Sequence, residues 1–120
     1  MMNKIIAVPL KNGVLCEHFG HCEQFAFVYV ENGVIASIEV LTPPEHVPGL
    51  YPRWVAEFGV SEVIAGGMGQ KAIDLFNQQK INAYVGAPKA TAEALVNAFI
   101  NDELDLSANY CNHDHHNHQC

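Results

Sequence analysis

Basic residues are scarce in this chain. Lys4, Lys11, Arg53, Lys71, Lys80 and Lys89 stand against 13 carboxylates, and the formal net charge is −7. They are scattered rather than gathered into a stripe, which excludes a nucleic-acid backbone as partner. Long apolar runs are missing too. Nothing approaches the roughly 18–20 consecutive apolar residues that span a bilayer. The opening run Ile5-Ile6-Ala7-Val8 is broken by Pro9 and Lys11, too early for the core of a secretory leader. The expected setting is cytoplasmic, with no membrane partner. Serine is rare: Ser37, Ser61 and Ser107 are the full set, and none sits in a nucleophile-elbow sequence.

What remains is one domain's worth of ordinary globular sequence. Of 120 residues, 49% are hydrophobic, enough to build a single core. Lys4–Leu10 reads as a buried strand. Lys11–Cys22 reads as a loop. Phe25–Glu31 and Val34–Leu41 are β-rich runs joined by Asn32-Gly33, the strongest short hairpin signal. Thr42-Pro43-Pro44 ends the second run, and Leu50–Phe58 has helical spacing, with Pro52 in its first turn and Trp54 and Phe58 as core. Alternation follows: a strand over Ser61–Ala65, a helix over Gln70–Gln79 with Ala72, Ile73, Leu75 and Phe76 inward, a strand over Ile81–Val85, and a helix over Ala90–Ile100 with Ala94, Leu95, Ala98 and Phe99 inward.

This pattern predicts an α/β fold of three layers around a mixed five-stranded sheet. Right-handed crossovers bring the later strands parallel to the first. The loop after the first strand is too short for a crossover, so the second strand is antiparallel. The expected strand order is 3-2-1-4-5, and a ligand is expected beyond the carboxyl ends of the parallel strands. The folded domain is expected over residues 1–102, followed by a flexible tail at 103–120.

Chemistry concentrates in three places. The first is Cys16-Glu17-His18-Phe19-Gly20-His21-Cys22, where Cys16, His18, His21 and Cys22 put two thiols and two imidazoles within seven residues. Such donors hold zinc, iron–sulfur and copper centres. The alternative is that the cysteines are small buried hydrophobes and the histidines cap turns. The second is Gly66-Gly67-Met68-Gly69 ahead of a helix, where the backbone can approach a ligand closely and helix-start amides attract anions. Gly67 to Ala72 also fits the G-x-G-x-x-A fingerprint. However, the next strand ends in Gly86-Ala87-Pro88-Lys89, without the carboxylate that a ribose requires. An anion cradle and plain helix-on-sheet packing both remain open.

The third is the tail, where Cys111, His113, His115, His116, His118 and Cys120 crowd into ten residues. Zn²⁺, Ni²⁺ or Cu²⁺ would bind there and leave as the histidines protonate near pH 6. Six of the seven histidines thus lie beside cysteines, a density that favours ligation over hydrolysis.

The Glu17-His18-Phe19-Gly20-His21-Cys22 loop, the Asn32-Gly33 hairpin, Gly66-Gly67-Met68-Gly69 before a helix, and the Tyr84-Val85-Gly86 strand end together resemble the dinitrogenase iron–molybdenum cofactor biosynthesis family. The likeness runs over about residues 3–102 and points to its small standalone members, similar to nitrogenase accessory factors. It implies a ribonuclease H-like sheet and binding of an iron–molybdenum cofactor or related metal–sulfur cluster, without turnover. The family's H-F-G histidine, implied to take part in cluster binding, falls on His18; the Gly67-Met68-Gly69 turn, read from its own residues, would add hydrogen bonds to cluster sulfides or an attached organic acid.

The resulting expectation is a non-enzymatic carrier that works with metallocluster assembly or recipient proteins. A metal chaperone acting through the tail is the alternative. A thiol- or nucleotide-dependent enzyme and a purely structural interaction domain are the remaining rivals.

Overall fold

Strand β1 (Lys4–Lys11) is apolar at successive positions because both of its faces are covered: Ile6, Ala7 and Val8 are fully buried. The computed structural model describes residues 3–16, 22–43, 50–104 and 108–110. After β1 the chain turns at Asn12-Gly13 into the two-residue β2 (Val14–Leu15), and the left-handed φ values of 58° and 82° are those of a tight hairpin. β3 (Gln24–Glu31) and β4 (Val34–Leu41) are joined by Asn32-Gly33 in the same conformation, φ 55° and 79°. Then come α1 (Leu50–Ala56), β5 (Glu62–Ala65), α2 (Gln70–Gln78), β6 (Asn82–Val85), α3 (Ala92–Ile100) and β7 (Ala108–Tyr110).

The sheet runs β4-β3-β1-β5-β6-β7, with β2 attached to β1. β1 is antiparallel to β3, from Lys4↔Val30 to Leu10↔Gln24, and parallel to β5 at Ile6↔Glu62 and Ala7↔Val63. β5 and β6 are parallel along four residues. The five strands read from the sequence keep their expected order and directions. Two strands had not been expected. Asn12-Gly13 carries the same hairpin signal as Asn32-Gly33, yet the strand after it is only two residues long, too short for period-two patterning to show. β7 lies past the end of the hydrophobic pattern and pairs antiparallel with β6 at Val85↔Ala108 and Ala83↔Tyr110. The sheet is therefore six strands wide along its main path, not five.

Alternation along the strands makes two cores. On one face Val55 of α1 and Ile73 and Phe76 of α2 pack over Ala7, Phe25, Phe27, Val63 and Ala83. Trp54 and Phe58 complete an aromatic cluster there, with Phe27 stacked on Phe58 at 4.5 Å and edge-on to Trp54 at 5.6 Å between ring centroids. On the other face Ala92, Leu95 and Val96 of α3 cover Ile6, Val8, Ala26, Val28, Ile64 and Tyr84. The inward side of α3 is thus centred on Leu95 as expected, but Val96 and Ala92 fill it while Ala94 is exposed. α3 starts at Thr91, whose hydroxyl accepts from the Ala94 N–H at 3.2 Å.

One charged pair anchors the amino end of the parallel strands. Glu62 is buried, receives Lys4 Nζ at 3.1 Å, and also accepts from the Ser61 hydroxyl. The Tyr84 phenol is pushed above its ordinary pKa, first by burial and then by the nearby Glu62.

Candidate functional site

The opposite edge, at the carboxyl ends of β1, β5 and β6, is where three loops converge. Backbone hydrogen bonds tie them together. Leu15 N–H donates to Ala90 O at 2.9 Å, Gly86 N–H to Gly66 O at 2.7 Å, and Ala87 N–H to Ala65 O at 3.1 Å. β2 is thereby held against the segment entering α3, and the glycine turn after β5 against the end of β6. Between them lies an open pocket of about 290 Å³ lined by Leu15, Gly66, Gly67, Ala87 and Lys89.

The His/Cys loop is anchored at both ends to the last residues of β1. Cys16 N–H donates to Pro9 O at 3.0 Å, and Glu23 N–H to Leu10 O at 2.8 Å. β2 and β3 flank β1 on opposite sides, so the loop's two ends do as well. His18 and His21 lie outside the described residues, as do Cys111, His113, His115, His116, His118 and Cys120.

Cys16 and Cys22 are brought together, but inward. Both are reduced thiols, 2% and 9% exposed, packed in the core beneath α1 and α2 with Ala7, Phe25 and Phe27. Burial pushes the Cys22 thiol up to about 12, and the neighbouring Cys16 adds to the rise because two adjacent thiolates repel. In the fold as it stands, Cys22 is therefore a neutral thiol at pH 7, and a metal would have to displace its proton before ligation. Among the described residues no group of three or more His, Cys, Asp or Glu side chains is placed to hold a metal ion.

The glycine turn divides between two environments. Gly67 lines the pocket, whereas Met68 is half-buried against the core shared by α1 and α2. Gly69 is the N-cap of α2, with φ −72°, no side-chain cap, and its carbonyl accepting from Ile73 N–H. A Cβ at Gly69 would meet no protein atom, and its φ suits any residue. Glycine is one of the residues favoured at a helix N-cap, and here it leaves the start of α2 open on its outer side. The amides of the first turn of α2, without a capping side chain, suit an anionic guest.

Of the lining, the sequence pattern had pointed only to Gly66 and Gly67; Leu15, Ala87 and Lys89 were missed, and the charged one is Lys89. Its signal was its place just after the third parallel strand, where ligand-facing residues of such sheets collect.

Residues 2–102 match the sequence profile of the dinitrogenase iron-molybdenum cofactor family. The chain belongs to that family. It is also 31% identical over 105 residues to an uncharacterized protein of Methanocaldococcus jannaschii, covering 83% of this chain and 88% of that one. The crystal structure of PH0822 superposes with a TM-score of 0.80 at 26% identity, covering 86% of this chain and 94% of that chain. The apo form of the orange protein from Desulfovibrio gigas superposes with a TM-score of 0.71 at 20% identity, covering 89% and 95% of the two chains, a likeness of fold. The α/β architecture, with its mixed six-strand path and three helices, is thus that of the dinitrogenase iron-molybdenum cofactor family. No described helix is long and apolar enough to cross a membrane.

Proposed function

We propose that this protein binds an iron–molybdenum or related metal–sulfur cluster as cargo at the carboxyl edge of its parallel strands. It would carry the cluster between metallocluster assembly and recipient proteins in the cytoplasm, without catalytic turnover. The observation that carries this reading is a convergence at one edge. The two described ends of the His/Cys loop, the Gly66–Gly69 turn and a roughly 290 Å³ pocket lie at that edge in a chain whose family is associated by name with that cofactor. The donor set fits such a guest in kind. His18 and His21 offer imidazole nitrogen from the loop, the turn offers backbone amides to sulfide or carboxylate, and Lys89 offers positive charge. Cys22 can join the ligand set only by giving up a proton that burial retains. The sheet order also agrees with a ribonuclease H-like scaffold reused for binding.

Purification under anaerobic conditions, followed by elemental analysis, acid-labile sulfide and visible absorption, tests this reading. The full chain and a chain ending at Tyr110 should both hold iron or molybdenum with sulfide and show charge-transfer colour, and His18→Ala should lower the content. Colourless Zn²⁺, Ni²⁺ or Cu²⁺ lost on truncation at Tyr110 would instead establish a chaperone that works through its tail. Saturable turnover of a thiol or nucleotide substrate, abolished by Cys22→Ser with metal content unchanged, would make it an enzyme.

A further inference from the structure

We propose that Lys89 is the residue that makes this edge selective for multiply charged anions. It would do so by pairing with the guest's negative charge over the Gly66–Gly67 backbone. The inference rests on the carrier reading for the natural identity of the anion, but its evidence is the pocket itself.

The lining of that pocket bears a single formal charge, and it is positive. Leu15 and Ala87 are apolar, Gly66 and Gly67 present only backbone, and Lys89 is the lone ionisable group. Among the described residues the one ion pair, Lys4 with Glu62, lies at the far end of the parallel strands, so Lys89 spends its charge on no described carboxylate. A bare divalent cation would find no anionic or soft donor in this lining and would be repelled by the ammonium group.

The background field has the same sign. α2 and α3 both begin at this edge, directing the positive ends of two helices toward it, and α2 has no side-chain cap to absorb that charge. The three backbone hydrogen bonds that tie Leu15 to Ala90, Gly66 to Gly86 and Ala65 to Ala87 hold the walls in register, so little ordering is left for a guest to impose. A volume of about 290 Å³ exceeds that of a simple oxyanion. It suits a compact polyanion with several oxygen or sulfur acceptors.

The test is a titration of the full chain with sodium molybdate at constant ionic strength, followed by backbone amide NMR, with chloride as the monovalent comparison. Saturable shifts are expected at Gly66, Gly67, Ala87 and Lys89 with molybdate, and none that saturate with chloride. Lys89→Ala should weaken molybdate binding about tenfold. Lys89→Arg should keep it within about twofold, because charge rather than shape is required. Arg53→Ala, an exposed residue of α1, should leave it unchanged.

Equal affinity in Lys89→Ala and the parent, or shifts that map away from the pocket, would overturn the inference. Metal analysis of the same variants after anaerobic purification separates it from the carrier reading. A parent without metal that still binds molybdate through Lys89 sinks the carrier and leaves the anion site. Metal and molybdate retained alike by Lys89→Ala sink the anion site and leave the carrier.

Discussion

Cys22 should react with thiol reagents far more slowly in the folded protein than in the unfolded chain, and the factor can be worked from its surroundings. Its pKa is pushed from 9.0 to about 12. At pH 8 that rise lowers the thiolate fraction about a thousandfold. A more basic thiolate is a better nucleophile, and a Brønsted coefficient of about 0.45 returns a factor of about 20. The net retardation from protonation alone is about fiftyfold, and an exposure of 9% slows the reagent's approach further. The assay is DTNB release from a Cys16→Ala/Cys111→Ser/Cys120→Ser chain, which keeps Cys22 as its single thiol, at pH 8, native and in guanidinium chloride, under pseudo-first-order conditions. Reaction of Cys22 in the native state within about threefold of the denatured rate would refute the burial argument and restore Cys22 as a ready-made ligand.

The same thiol makes stability pH-dependent. A folded pKa raised above the unfolded value stabilises below about pH 9 and loses that contribution as pH climbs toward 12. The full shift is worth about 4 kcal/mol, and about half that once solvent around the rim of the core is allowed for. Denaturant midpoints should fall from pH 9 upward in the parent and less steeply in Cys22→Ala. Phe27→Ala removes a fully buried ring stacked on Phe58 and edge-on to Trp54, and should cost about 4 kcal/mol in urea unfolding. Glu62→Gln removes the carboxylate that Lys4 and Ser61 share and should cost about 1–2 kcal/mol, with the loss reduced in Lys4→Met/Glu62→Gln. A chain stopped at Leu104 lacks β7 and bares the edge of β6. Relative to a chain ending at Tyr110 it should unfold about 1–2 kcal/mol more easily and aggregate sooner on light scattering.

Legibility differed sharply between elements. Asn32-Gly33 set the β3–β4 hairpin because both residues accept left-handed φ, a purely local property. The apolar run from Ile5 to Leu10 announced a strand covered on both faces, and β1 lies at the middle of the sheet. The phase of α3 was harder to place, since Ala92, Ala94, Ala98, Leu95, Val96 and Phe99 leave almost no polar face to orient the helix. Asn12-Gly13 carried a readable signal that the two-residue β2 was too short to support.

By itself, then, the sequence determined the order and directions of β1, β3, β4, β5 and β6 and the crowding of soft donors after β1. Those follow from turn chemistry, period and handedness, which act over a few residues at a time. Tertiary structure alone decided that Cys16 and Cys22 lie in the core under α1 and α2, that Lys89 lines the same pocket as Gly66 and Gly67, and that Ala108–Tyr110 extends the sheet. Thiols are apolar enough to be buried or polar enough to ligate, a lysine suits almost any surface, and three residues show no period. Only the packing of distant segments chooses among those outcomes.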